Sequence, residues 1–246
     1  MLSTLVSRYN CPWEPVNVHL EDGYIFVIYT IIFCIAFQTI ARQVVLIILG
    51  PNSPKRGLAP RIGTKLVSVL FDVIAVCGGI KELLAPQESV LLDPIYGFSS
   101  HSQFHFSLAA GYFLWAAIVT AVYRGSKVAI LHHVTCSMVY LLALAPFMHH
   151  VGNIYLLFQA STLLLDSYSC GRLLTSKATT TNKSLVALHP YVFLLTRIVI
   201  GLPVSFLFMV DMFSLLYNGT AHSVPVVIFF IAVNLLINSL NFYWGT

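Results

Sequence analysis

Seven long apolar stretches separated by short loops constrain this chain more than any other feature of it. They cover residues 24–49, 62–84, 104–123, 128–147, 151–174, 185–210 and 224–244. A helix needs about 20 apolar residues to cross a hydrocarbon layer about 30 Å thick, and each stretch is long enough. Between them lie turn-forming runs such as Gly50-Pro51-Asn52-Ser53-Pro54, Leu92-Asp93-Pro94 and Arg124-Gly125-Ser126, together with the Ser/Thr-rich run 175–184. Only 9% of the residues are charged, against about 25% in soluble domains, and mean hydropathy is +0.84. The expected fold class is an all-α membrane protein with seven transmembrane helices and no soluble domain.

Orientation follows from the Lys/Arg asymmetry of the short loops. The loops after stretches one, three and five hold Lys55, Arg56, Arg61, Lys65, Arg124, Lys127, Arg172, Lys177 and Lys183. The other side holds only Arg8 and Lys81 and collects Glu14, Glu21, Asp22, Glu82, Glu88 and Asp93. Three basic loops on one face require an odd number of spans, which predicts a lumenal Met1 and a cytosolic Thr246. Met1–Asn10 has no long apolar run and is followed by Pro12 and Pro15, so the first stretch is expected to be its own insertion signal.

Other classes are poorly served. The formal net charge of +4 sits in these short loops and is no nucleic-acid signal. Cys11, Cys34, Cys77, Cys136 and Cys170 show no CxxC spacing, so neither a disulfide framework nor a zinc site is expected. His101 and His105 stand i, i+4 on one helical face but lack an evident third ligand, and read as an interfacial cap. His149-His150 reads as a turn. Asn218-Gly219-Thr220 is a lumenal sequon too near the membrane for use, and Asn182-Lys183-Ser184 falls on the cytosolic side. For a seven-helix receptor, Val122-Tyr123-Arg124 lacks an acidic neighbour, and the last stretch has neither Asn-Pro-x-x-Tyr nor a lysine.

An ionisable group in a span costs at least about 2.5–3.5 kcal/mol at its centre and needs a partner or a wet cavity. Asp72, His132, His133, Gln159, Asp166 and Arg197 are the polar residues that raise this question. At about 1.5 Å per residue, Asp166 lies some 22 Å down the fifth stretch, near the level of His132 and His133. Gln159, Asp72 and Arg197 come near mid-membrane. Together they predict a polar layer in the cytosolic half, with Arg197 paired to Asp72 or Asp166 or facing an anionic head group. Plain interhelical hydrogen bonding is the simpler alternative.

Several motifs then resemble the TLC (TRAM–Lag–CLN) domain family. They are Asp93-Pro94-Ile95-Tyr96-Gly97, Leu108-Ala109-Ala110-Gly111-Tyr112-Phe113, and Leu131-His132-His133-Val134-Thr135. Gly152-Asn153-Ile154-Tyr155-Leu156-Leu157 with Ser161, and Arg197 with Pro203, complete the set. The likeness is to subgroup four, the TLC domain-containing protein 4-like members. It implies a segment 1–61 holding the first helix and a basic loop, then a TLC domain over 62–246 built as a six-helix barrel. It also implies a cavity open to the cytosol that takes a long acyl chain or acyl-CoA, and residence in the endoplasmic reticulum. The C-terminal residues show neither a Lys-Asp-Glu-Leu signal nor a dilysine tail.

The chain departs from the catalytic members of that family. The ceramide synthase pattern has a His-Asp pair where Gln159-Ala160 stands, and a further Asp near Leu163. The closer subgroup usually has an acidic residue at Gln159 and a histidine at Phe71. An amide is no general base. The leading expectation is therefore a protein that binds membrane lipids or acyl chains and contributes to lipid homeostasis, with no cofactor or metal beyond acyl-CoA as a possible ligand. Acyl transfer from acyl-CoA is the alternative, with His132 or His133 as general base, Asp166 orienting it and Arg197 holding carbonyl or phosphate. A cargo receptor or transporter is the second alternative.

Overall fold

The computed structural model describes residues 14–174 and 180–245, with side chains over 21–174 and 180–244. Arg8, Cys11, Lys177 and Thr246, which enter the reading of orientation and cysteines, lie outside the described residues. Every regular element described is helical. In order they are α1 (Glu14–Leu49), a 3-10 turn (Arg56–Leu58), α2 (Ala59–Leu84), the short α3 (Glu88–Leu92), α4 (Ser100–Val122), α5 (Lys127–Leu142), α6 (His149–Leu156), α7 (Gln159–Leu174), α8 (Thr180–Phe193), a π-helical segment (Leu194–Ile200), α9 (Gly201–Tyr217) and α10 (Val224–Gly245).

Among the described residues four helices are long and apolar enough to cross a membrane: Glu21–Leu49, Ser100–Val122, Thr180–Tyr217 and Val224–Trp244. Lys127–Leu142 is apolar but shorter. The expected spans over 62–84 and 151–174 do not meet that standard. The first carries Lys65, Asp72, Lys81 and Glu82, and the second is divided into α6 and α7. The stretch expected over 128–147 is helical only as far as Leu142, because Pro146 follows and has no N–H to carry the ladder on.

α1 shows what surrounds the molecule. Its buried positions Gly23, Val27, Thr30, Cys34, Ala41 and Val45 form one narrow seam at helical spacing. Many of the other side chains described over 21–49, including Ile25, Tyr29, Ile32, Phe33, Ile40, Ile47 and Ile48, are apolar and exposed. So much uncovered apolar surface suits lipid rather than water. Gly50, at φ +72°, closes the helix in the left-handed conformation that favours glycine.

Glycines set how closely the helices approach. A Cβ on Gly111 of α4 would stand 2.7 Å from the Val27 carbonyl of α1 and from the Thr30 side chain. One on Gly63 of α2 would stand 2.9 Å from the Gln38 carbonyl. Small residues at such crossings let backbones pack in direct contact where no hydrophobic force between helices operates. α1 thereby rests on α4 and α2. α2 also packs on α7, α7 on α8, α9 on α10, α10 on α5, and α5 on α4.

The non-basic end is closed by a hydrogen-bonded knot. Asp93 Oδ1 accepts from the backbone N–H groups of Ile95 and Tyr96 at 3.0 and 2.9 Å, a turn built by the side chain. Ser99 caps α4 by accepting from Ser102 N at 3.0 Å. Buried Glu82 accepts from Ser99 Oγ and Ser102 Oγ at 2.9 and 3.3 Å, placing its carboxylate at the positive end of α4. Asn153 of α6 donates to Ser102 Oγ at 2.8 Å. His149 is an organiser of buried backbone as well as a turn residue, since Nδ1 accepts from Ser99 N and Nε2 meets the Ala143 and Ala145 carbonyls, all at 3.0 Å.

Gly111→Leu should separate α1 from α4 and lower the unfolding midpoint in detergent, since forced overpacking costs about 1–3 kcal/mol. The exposed neighbour change Ile118→Leu is the control. An unchanged midpoint for Gly111→Leu would mean that α1 is not docked at this crossing.

Candidate functional site

A cavity of about 890 Å³ of empty space, its open mouth included, lies among α4 to α7, the π-helical segment, α9 and α10. Most of its wall is apolar: Phe113, Val139, Tyr140, Ala143, Met148, Val151, Phe158, Phe208, Phe230, Val233 and Ile237. His132, Cys136, Gln159, Arg197, Ser205, Asn234 and Asn238 interrupt it with polarity.

Two irregularities of the backbone bring those polar groups inward. Between α6 and α7 the ladder is replaced by short i→i+3 bonds at Leu157, Phe158 and Ala160. The Phe158 carbonyl, at the start of α7, accepts from Ser161 Oγ at 3.0 Å and Arg197 Nη2 at 3.3 Å. Opposite it, Arg197 sits in the π-helical turn, downstream of Pro190. Such turns re-aim side chains at functional sites. Arg197 also donates through Nε to Ser161 Oγ at 3.1 Å, through Nη1 to Asn241 Oδ1 at 2.8 Å, and through Nη2 to Thr162 Oγ1 at 3.1 Å. Its guanidinium lies over the rings of Phe158 and Phe193, 5.7 and 5.3 Å from their centroids. Only 7% of Arg197 is exposed.

Asn234 and Asn238 of α10 form a second polar cluster. Tyr155 donates its hydroxyl to Asn234 Oδ1 at 3.0 Å and lies 3.1 Å from Ser205 Oγ. Ser205 donates to Asn234 Oδ1 at 3.0 Å, and Asn238 donates to Ser205 Oγ at 2.9 Å. α6, α9 and α10 are joined here, along one wall of the cavity.

The six residues singled out from sequence do not form one layer. His132, Gln159 and Arg197 line the cavity. Gln159 is buried, and its amide has no hydrogen-bond partner among the described residues. His132 lies beside Cys136, whose Sγ is 3.7 and 3.8 Å from the two ring nitrogens, and against Trp244 at 5.1 Å between centroids. His133 packs on Phe113 and lies outside the cavity lining, with Nδ1 buried and unpaired. Asp166 forms an ion pair with Lys65 at 2.5 Å between α7 and α2. Asp72 is fully buried, and no donor among the described residues reaches either carboxylate oxygen.

The expected pairing of Arg197 with Asp72 or Asp166 is thus replaced by neutral acceptors, because the opened turn at Phe158 supplies them closer at hand. No hydrogen bond joins Asp166 to His132 or His133 among the described residues, so neither histidine is oriented by it. Lys65, assigned from sequence to a basic loop, instead stands inside α2. It also edges a shallower hollow at the basic end with Arg61, Thr64, Tyr123, Tyr168, Ser169, Arg172 and Leu173. His105 lies against Gly78, where a Cβ would meet its Nε2 at 2.4 Å. Among the described residues no three His, Cys, Asp or Glu side chains converge as metal ligands.

Residues 61–246 match the family model of the TLC domain (TRAM, LAG1 and CLN8). The chain belongs to the TLC-domain family. With its exposed apolar helices, it is an integral membrane protein of that family. No curated protein and no solved structure matches it. The TLC domain contains the whole cavity and every one of the six residues. What the sequence reading missed is its asparagines. Asn234, Asn238 and Asn241 stand i, i+4 and i+7, one polar stripe on an otherwise apolar α10, which is a signal visible in the sequence.

Asp72→Leu removes two buried acceptors without donors at similar volume. Such groups cost about 1–3 kcal/mol each, so the variant should unfold at a higher midpoint than wild type. A lower midpoint would reveal a donor that holds Asp72 in the native protein.

Proposed function

We propose that this TLC-domain protein holds a lipid acyl chain in the cavity between α4 and α10 and contributes to membrane lipid homeostasis. One observation carries the reading: a largely apolar cavity in which a few polar groups, among them Gln159 and Arg197, are gathered rather than dispersed. Apolar walls suit methylene chains, and a few fixed polar groups orient a head or a carbonyl. Within the family we group the chain with subgroup four, on Leu131-His132-His133 and Gly152-Asn153.

In this reading the chain crosses the membrane seven times, in the endoplasmic reticulum, with α2 completed at the lipid boundary by its charged ends and α6–α7 acting as one broken span. Non-helical backbone at membrane depth is tolerated where it lines a cavity, which is where the break at Phe158 lies. The successive packing of α2, α7, α8, α9, α10, α5 and α4 supports a six-span barrel, with α1 outside it. Acyl transfer has less support, because Asp166 is engaged by Lys65 and Gln159 carries no titratable group. Acyl-CoA enters this reading as a ligand only.

Lipids that co-purify with the full chain in mild detergent can be identified by mass spectrometry. A defined acyl species should accompany wild type and be depleted severalfold in Val151→Trp, which fills the cavity. Equal, bulk-like lipid in both would reject an occupied cavity. For orientation, an epitope after Thr246 should be reached by antibody when only the plasma membrane is permeabilised, and one inserted at Gly219 should not. The opposite labelling would reverse the topology.

A further inference from the structure

The charge on Arg197 is solvated but has no contacting counter-ion. A guanidinium has five N–H donors, and Ser161, Asn241, Thr162 and the Phe158 carbonyl take four of them. All four acceptors are neutral. Among the described residues the one ion pair is Lys65–Asp166, and Asp72 acts on Arg197 only through space. A buried cation without a contacting anion is costly, and it is retained where a charge partner arrives from elsewhere. The unused donor is on Nη1, and Arg197 lines the cavity.

A second group points the same way. Gln159 is 8% exposed, lines the same cavity, and has no hydrogen-bond partner among the described residues. It follows Phe158 in the chain, and the Phe158 carbonyl is bonded to Arg197, so amide and guanidinium belong to one corner of the cavity. Away from that corner Phe113, Phe208 and Phe230 present only hydrocarbon.

We propose that the cavity selects a single-chain amphiphile with an anionic end, whose oxygens accept from Arg197 Nη1 and the Gln159 amide while its chain lies on the apolar wall. This rests on the reading that the cavity holds an acyl chain, and adds the chemistry of the head. A fatty-acid carboxylate and a lysophospholipid phosphate monoester share that chemistry. A planar guanidinium edge beside an amide donor fits either oxyanion through charge-assisted hydrogen bonds.

The test uses the full chain in nanodiscs of zwitterionic lipid and compares oleate, oleoyl lysophosphatidate and oleyl alcohol as competitors of a fluorescent acyl probe. At least one of the two anions should bind at least about tenfold more tightly than the alcohol, a difference of about 1.4 kcal/mol. The tighter anion identifies the source. Arg197→Gln should abolish that preference and leave the alcohol's affinity unchanged. Gln159→Leu, which leaves the Arg197 bonds in place, should reduce the preference and gives the readout if Arg197→Gln fails to fold. Equal affinity for anion and alcohol, or a preference that survives the substitutions, overturns the anionic head and leaves the acyl-chain reading standing. Failure of all three ligands to displace the probe overturns both.

Discussion

Hydrocarbon supplies no hydrogen bonds, so any backbone or polar group released from a helix in this chain must find its partner inside the chain. The fold is largely a record of how that demand is met. Where α5 stops short at Leu142, the Ala143 and Ala145 carbonyls are taken by His149, the Leu144 carbonyl by Gln103 at 3.0 Å, and the Met148 N–H by the Ile95 carbonyl at 2.7 Å. Where α6 breaks from α7, the Phe158 carbonyl turns to Arg197. In both places side chains from other helices take carbonyls at the irregular backbone.

The same constraint connects the scaffold to the cavity. The carbonyl of Phe158, at the α6–α7 break, accepts from Arg197, and the π-helical segment presents that cation. Neither irregularity stands alone, because an unpaired carbonyl or an unpaired guanidinium in this environment would cost several kcal/mol. The polar groups of the cavity are therefore gathered where helices are imperfect, in a protein otherwise built from regular helices and glycine crossings.

Much of this could be read in advance. The apolar stretches located the helices, and α1, α2, α4 and α10 begin or end within a few residues of them. The double histidine and the Gly-Asn motif pointed to the TLC family. Of the polar residues marked in the spans, His132, Gln159 and Arg197 line one cavity. Depth says nothing of azimuth, however. Asp72 and Asp166 lie at similar depth and face another seam, where Lys65 holds Asp166. The asparagine stripe of α10 was overlooked although its spacing was plain, because asparagine carries no charge to flag it.

Composition and periodicity by themselves determined that the chain is helical and that it lives in a membrane, because apolar stretches of spanning length depend only on local sequence. Only the tertiary structure decided which of its polar residues meet. Partner choice depends on how helices rotate about their axes, on where glycines such as Gly63 and Gly111 let them touch, and on two local departures from the α-helical ladder. The direction of Arg197 toward Ser161, Thr162 and Asn241 rather than toward an aspartate is the outcome of that geometry, and no linear pattern encodes it.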